Sequence, residues 1–152
     1  MNIGLTEKAR QQISDGLLKL LAETYALYLK TQNFHWNVKC TEFFSLHLLF
    51  EKQYEEMSGA TDEIAERVRA LGFFVDASFS SFSELCGIPE EKKVLTSKDM
   101  LKHLIDGHET LIRDTRHLAS LCEKEKDHGT IDLLGRRLIA HEKFVWMLRE
   151  SL

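Results

Sequence analysis

Apolar positions along the chain recur with the 3.6-residue period of a helix in four long stretches, with one long irregular stretch between the second and third. Thr6 is placed to cap the first helix. Ile13, Leu17, Leu20, Leu21, Leu27 and Tyr28 form its inward stripe, and Asn33, Asn37 and the following Lys-Cys-Thr predict an end near residues 32–36. A second helix is expected from about Phe43 to Leu71, with Gly72 at its stop position. Gly59 lies inside it, where a glycine costs about 1 kcal/mol relative to alanine; close approach of another backbone is one use for it. Residues 73–95 break the period, are rich in Phe and Ser, and hold the only proline, Pro89. A structureless link of that length is unusual inside a domain, so a short helix is expected near Ser80–Cys86, with Phe79 and Phe82 giving it an apolar face. Thr96 and Asp99 read as a capping pair for the third long helix. Its stripe of Leu101, Leu104, Ile105, His108, Leu111, Ile112, Leu118 and Leu121 runs to about Lys124. After the polar break EKEKDHGT, Thr130 opens the last helix, with Leu134, Leu138, Val145 and Leu148 on one face.

The pattern therefore predicts an all-α chain of four long helices, with a short extra helix in the long crossover between the second and third. A chain of 152 residues fits one domain, here taken as 1–152, with a core of useful size. Composition sharpens this little: apolar residues make up 43% and charged residues 29%, which is ordinary for a folded chain. Net charge is −4, which is not the basic footprint of a nucleic-acid binder. Cys40, Cys86 and Cys122 are odd in number and show no CxxC spacing, so they read as reduced thiols of a cytoplasmic protein. The first residues contain no apolar signal core, and no apolar run approaches the roughly 20 residues that cross a bilayer.

The candidate chemistry lies in one stretch holding His35, His47, Glu51, Asp62 and Glu66. On a helix, His47 and Glu51 are four apart and share a face, as do Asp62 and Glu66. Glu51 and Asp62 are eleven apart; eleven steps of about 100° leave a residual of only about 20°, so both pairs point the same way. Those steps also climb about 16 Å, whereas a metal holds its ligands at about 2.0–2.2 Å. The two pairs cannot meet on one metal within one chain. They form two half-sites, or a second, antiparallel copy of the helix brings its Asp62 and Glu66 to this chain's His47 and Glu51. Nitrogen and oxygen donors without thiolate suit iron, manganese or zinc. Leu46, Leu49 and Phe50 flank Glu51, and Ile64, Ala65 and Val68 flank Glu66. A carboxylate beside a buried stripe is costly unless it is paired or bound to a cation. An intrachain di-iron bundle needs two Glu-x-x-His motifs; this chain has one, Glu125 to His128, in a turn, so that arrangement is disfavoured. His103, His108, His117, His128 and His141 form no ligand set by spacing and read as surface or ordinary helix histidines.

The segment NFHWNVK, followed by His47, Glu51 and the run from Asp62 to Arg67, closely resembles the Dps (DNA protection during starvation) miniferritins, and the ending HEKFVWMLRESL is similar to their last helix. The resemblance covers nearly the whole chain. It implies a ferritin-like four-helix bundle, a hollow shell of twelve subunits, and a ferroxidase centre shared across each two-fold interface. His35, His47 and Glu51 would come from one subunit, and Asp62 and Glu66 from its mate. It further implies oxidation of Fe2+ by hydrogen peroxide, or by O2, with storage of ferric mineral and protection against oxidative stress; zinc or manganese could substitute for iron. Glu51 stands where the family usually has aspartate, a longer arm toward the second iron. Trp36 follows His35 as in the family pattern and would lie near the iron, where it could quench oxidising equivalents. Asp127 and Asp132 fall where family members line three-fold iron-entry pores.

The family also contains shells that compact DNA, commonly through a flexible Lys-rich tail. In this sequence about five residues precede the first helix, none of them basic. Twelve copies at −4 give −48 (12 × −4), a charge that repels phosphates. The expectation is an iron-handling homo-oligomer rather than a DNA-compacting shell.

Overall fold

Thr6 accepts a hydrogen bond from the Ala9 amide at 3.1 Å and starts α1, Glu7–Asn37. The structure, a computed structural model, describes all residues 1–152. The remaining helices are α2 (Phe43–Ala70), α3 (Phe79–Leu85), α4 (Ser97–Glu125) and α5 (His128–Arg149). There is no strand, and α3 lies in the long link between α2 and α4 as the sequence predicts. α1 packs chiefly against α2, α4 against α5, and α1 against α4, while α3 rests on α1. This is the ferritin-like four-helix bundle. No helix is long and apolar enough to cross a membrane. All three cysteines are unpaired.

Two boundaries differ from the sequence reading. α1 continues past 36, because Asn33 and Asn37 do not break it. The Asn37 side-chain amide donates to the Asn33 carbonyl (2.8 Å) and side-chain oxygen (2.9 Å), so the pair closes an i,i+4 bridge on the last turn. α5 starts at His128 because Asp127, not Thr130, is its cap: Asp127 accepts from the Thr130 amide at 3.1 Å. At the end of α2, Gly72 has φ +95, a left-handed conformation that glycine adopts without strain.

The core divides into two clusters along the bundle. The larger joins Ile13, Leu17, Leu21, Met57, Ile64, Leu118 and Leu134 with their neighbours. The smaller closes the end near the α1–α2 connection around Phe34, Phe50, Leu104 and Leu148. α1 and α4 cross closely at Gly107, where an added Cβ would stand 2.6 Å from the Leu27 side chain. This packing holds the end of α1 against the start of α2, where the first candidate residues meet.

Candidate metal centre

His35 sits in the last turn of α1 and is buried; His47 lies near the start of α2 and is half-buried. The His35 Nδ1 is 2.9 Å from the His47 carbonyl oxygen, and the His47 Nδ1 is 3.0 Å from the His35 carbonyl oxygen. A carbonyl only accepts, so each Nδ1 carries the proton and donates. Each imidazole therefore keeps its Nε2 lone pair free, the tautomer a metal-binding histidine needs. The rings stack at 3.7 Å with 19° between their planes. Tyr54 packs edge-on against His35 at 5.2 Å and Phe43 lies against His47 at 5.1 Å, fixing both rings further.

Glu51 is half-buried one turn beyond His47. The Tyr54 phenol beside it is pushed above its ordinary value by burial first and then by the Glu51 and Glu55 carboxylates. Asp62 and Glu66 lie exposed further along α2. The expected burial cost at Glu66 is therefore absent within one chain: Ile64 and Val68 turn into the core while Glu66 turns to the open flank. Glu51, Asp62 and Glu66 form no ion pair, whereas Glu56 and Glu63 on the same helix are taken by Arg137 and Arg136 of α5. No three such side chains converge on a point inside the chain, as the axial separation requires.

The numbers along α2 carry a further regularity. His47 and Glu66 sum to 113, and so do Glu51 and Asp62 (47 + 66 = 51 + 62). An antiparallel two-fold copy of α2 in that one register brings both pairs level at once, with the axis between residues 56 and 57. Ser58 and Gly59 lie next to that point and are exposed, and a Cβ added at Gly59 meets nothing within 4 Å. Phe44 and Leu48 are exposed on the same side, at 72% and 36%.

Trp36 is 63% exposed and faces a groove formed with Leu29, Asn33 and Pro89. Asp132 is exposed and pairs with Arg136. Asp127 does not fit a pore. It is 4% exposed, it bonds Arg67 at 2.7 Å, and it caps α5. Burial works against its charge, but the bonds from Thr130 and Arg67 keep its carboxyl below the usual range.

Sequence reasoning missed a buried histidine pair. His108 of α4 and His141 of α5 are both fully buried, with their Nδ1 atoms 2.9 Å apart. One must donate and the other accept, so the two are neutral and of opposite tautomers. Burial pushes His108 down to about 3 and His141 well below its ordinary value, the latter with help from His108 and Arg137. Both Nε2 atoms lack a partner, as do the amide atoms of buried Gln53. A signal existed: His108 continues the apolar stripe of α4, and His141 falls between Leu134, Leu138, Val145 and Leu148 on α5. Glu23 was also missed. It is buried, and burial followed by the Asp114 carboxyl raises it to about 7.

A family model described as a ferritin-like domain matches residues 14–152. The DNA protection during starvation protein of Porphyromonas gingivalis is 34% identical over 95% of this chain and 91% of that protein. The chain belongs to the Dps family of ferritin-like proteins. An uncharacterised low temperature-induced protein of Nostoc is 39% identical to this Dps-family chain, over 98% of it and 84% of the Nostoc protein. Among solved structures, the Vibrio cholerae Dps protein superposes with a TM-score of 0.94 at 32% identity, covering 99% of this chain and 95% of that one. That protein is described as a member of a broad superfamily of ferritin-like diiron-carboxylate proteins.

Proposed function

We propose that this Dps-family chain is a ferroxidase and iron store, with its iron centre built across a two-fold interface. The observation that carries the reading is the reciprocal His35–His47 clamp, which frees two Nε2 donors, on the same chain as carboxylates that form no ion pair within it. His35, His47 and Glu51 of one subunit and Asp62 and Glu66 of its mate supply the donors. The carboxylates are hard ligands that favour the ferric product. The donor set alone also admits zinc and manganese, but the diiron-carboxylate kinship of the Vibrio neighbour favours iron as the substrate.

Two ferrous ions held together allow hydrogen peroxide to take two electrons in one encounter: 2 Fe2+ + H2O2 + 2 H+ → 2 Fe3+ + 2 H2O. One-electron reduction would release hydroxyl radical, so pairing the ions is the protective step; O2 is the alternative oxidant. The protein's own work is to lock the imidazole tautomers, to bring anionic oxygens opposite them, and to keep the ions side by side. The ferric product is stored as mineral inside a shell of twelve subunits in the cytoplasm. Asp132, exposed near the start of α5, is assigned to the iron-entry pore. Trp36, which follows His35 in sequence and is exposed on the α1 surface, is assigned the quenching of stray oxidising equivalents.

Glu66→Ala and Asp62→Ala, each assayed as assembled shells, should abolish fast peroxide-dependent oxidation of Fe2+ while shell mass stays unchanged. Unaltered kinetics in both variants would refute the assignment.

A further inference from the structure

The chain has three tyrosines, and all three lie in one line of contacting rings. Tyr54 packs on His35 at 5.2 Å, Tyr28 on Tyr54 at 6.1 Å, and Tyr25 on Tyr28 at 5.7 Å. Tyr25 then meets Phe82 of α3 at 5.3 Å. It also lines, with Asp62, Phe79 and Phe82, the groove beneath α3. The line thus begins at the histidine half of one iron centre and ends beside Asp62, which belongs to the other centre of the same two-fold pair. Two of the rings come from α1, one turn apart, and the third from α2. The path is fixed by the α1–α2 packing that also positions His35. The phenols are only lightly tied: Tyr28 accepts one long hydrogen bond, 3.4 Å, from Gln32, and the Tyr54 phenol lies beside the Glu51 carboxylate, a base that can take its proton.

We propose that Tyr54, Tyr28 and Tyr25 form an electron relay that supplies the second electron for peroxide when a centre holds a single ferrous ion, and that shares the oxidising equivalent between the two centres of a dimer. This rests on the ferroxidase reading above. With one ion, ferrous iron gives one electron and a tyrosine gives the other with its phenol proton: Fe2+ + Tyr–OH + H2O2 + H+ → Fe3+ + Tyr–O• + 2 H2O. The oxidant is hydrogen peroxide, both of its oxygens leave as water, and no hydroxyl radical is released. The phenoxyl then takes an electron and a proton from the next tyrosine, which becomes the phenoxyl in turn. At the far centre a ferrous ion supplies the electron and solvent the proton, Tyr–O• + Fe2+ + H+ → Tyr–OH + Fe3+, and the tyrosine is restored. Contact between successive rings makes each transfer short.

The test uses intact shells loaded with one Fe2+ per centre, mixed with excess hydrogen peroxide and freeze-quenched at the earliest times, before ferrous iron at a far centre can restore the tyrosine. Ferric iron, the tyrosyl signal by electron paramagnetic resonance, and spin-trapped hydroxyl radical are read separately. The unaltered protein should give ferric iron, a tyrosyl signal and little trapped radical. Because the chain has no other tyrosine, the signal reports these positions alone. The triple variant Tyr25→Phe/Tyr28→Phe/Tyr54→Phe keeps the rings but should lose the signal and raise trapped radical several-fold. Tyr28→Phe alone should break the relay at its middle, leave the two-iron oxidation rate unchanged, and prolong the remaining signal. Ferric iron formed with no tyrosyl signal in the unaltered protein, or with trapped radical unchanged in the triple variant, overturns the relay. An absence of ferric iron in the unaltered protein overturns the ferroxidase reading, and the relay with it.

Discussion

Acid should weaken this fold through the histidine pair in its core. His108 is held at about 3 and His141 well below its ordinary value, both by burial. In the unfolded chain each titrates near 6.5. A depressed value means that the stabilisation is complete above about pH 6.5 and is lost as pH falls toward the folded value, because only the unfolded chain takes up the protons. Going from about pH 7.5 to about pH 5, each histidine should cost about 2 kcal/mol, so about 4 kcal/mol for the pair. That is a large share of the roughly 5–15 kcal/mol that a domain holds in reserve. Glu23 works in the opposite direction. Its value is raised to about 7, so its folded form gains a proton over the same interval and returns about 2 kcal/mol. Net acid loss is then about 2 kcal/mol, and the clean quantity is the difference between variants. Urea unfolding at fixed protein concentration, at both pH values, should show His108→Gln/His141→Gln shells losing about 4 kcal/mol less on acidification than the unaltered protein. Equal pH dependence in the two would mean that the pair is not neutral and buried as described.

Three further outcomes follow from particular side chains. Glu51→Gln should slow peroxide-dependent oxidation by about tenfold or more, while Glu55→Gln, which changes an equally unpaired carboxylate on the same helix, should leave stopped-flow rates unchanged. Asp127→Asn should lower the urea midpoint by an amount worth about 1–2 kcal/mol through the α5 cap and Arg67, whereas Asp132→Asn should leave stability unchanged and slow iron uptake into the shell. A gel-shift titration at neutral pH should show no salt-sensitive binding to duplex DNA, since the chain carries a net charge of −4; a retarded band that disappears with added salt would contradict this.

Much of the fold was legible because each long helix declares itself by periodicity and by its cap: Thr6 and Thr96 cap as their sequences predict. The ends were harder to read where polar residues bond to one another. Asn33 and Asn37 look like breakers one by one but close a bridge together. The helical arithmetic on α2 kept the two ligand pairs apart, and no three such side chains converge inside the chain; it left two half-sites or an antiparallel partner open. It could not give the tautomer lock of His35 and His47, which depends on how the α1–α2 connection folds back. Nor could it give the His108–His141 contact, which depends on the register between α4 and α5. Sequence neighbours misled at Glu66, since the apolar residues beside it face the core while it faces outward.

The central claim is that each iron centre takes its histidines from one chain and its far carboxylates from another. Shells should be reassembled from an equal mixture of His35→Ala/His47→Ala chains and Asp62→Ala/Glu66→Ala chains, each inactive when assembled alone. In a two-fold shared arrangement, half the dimers are mixed and each of these regains one intact centre. The mixed shells should therefore recover about one quarter of the unaltered peroxide-dependent ferroxidation rate. A mixture as inactive as either parent, at the same shell mass, would contradict the account.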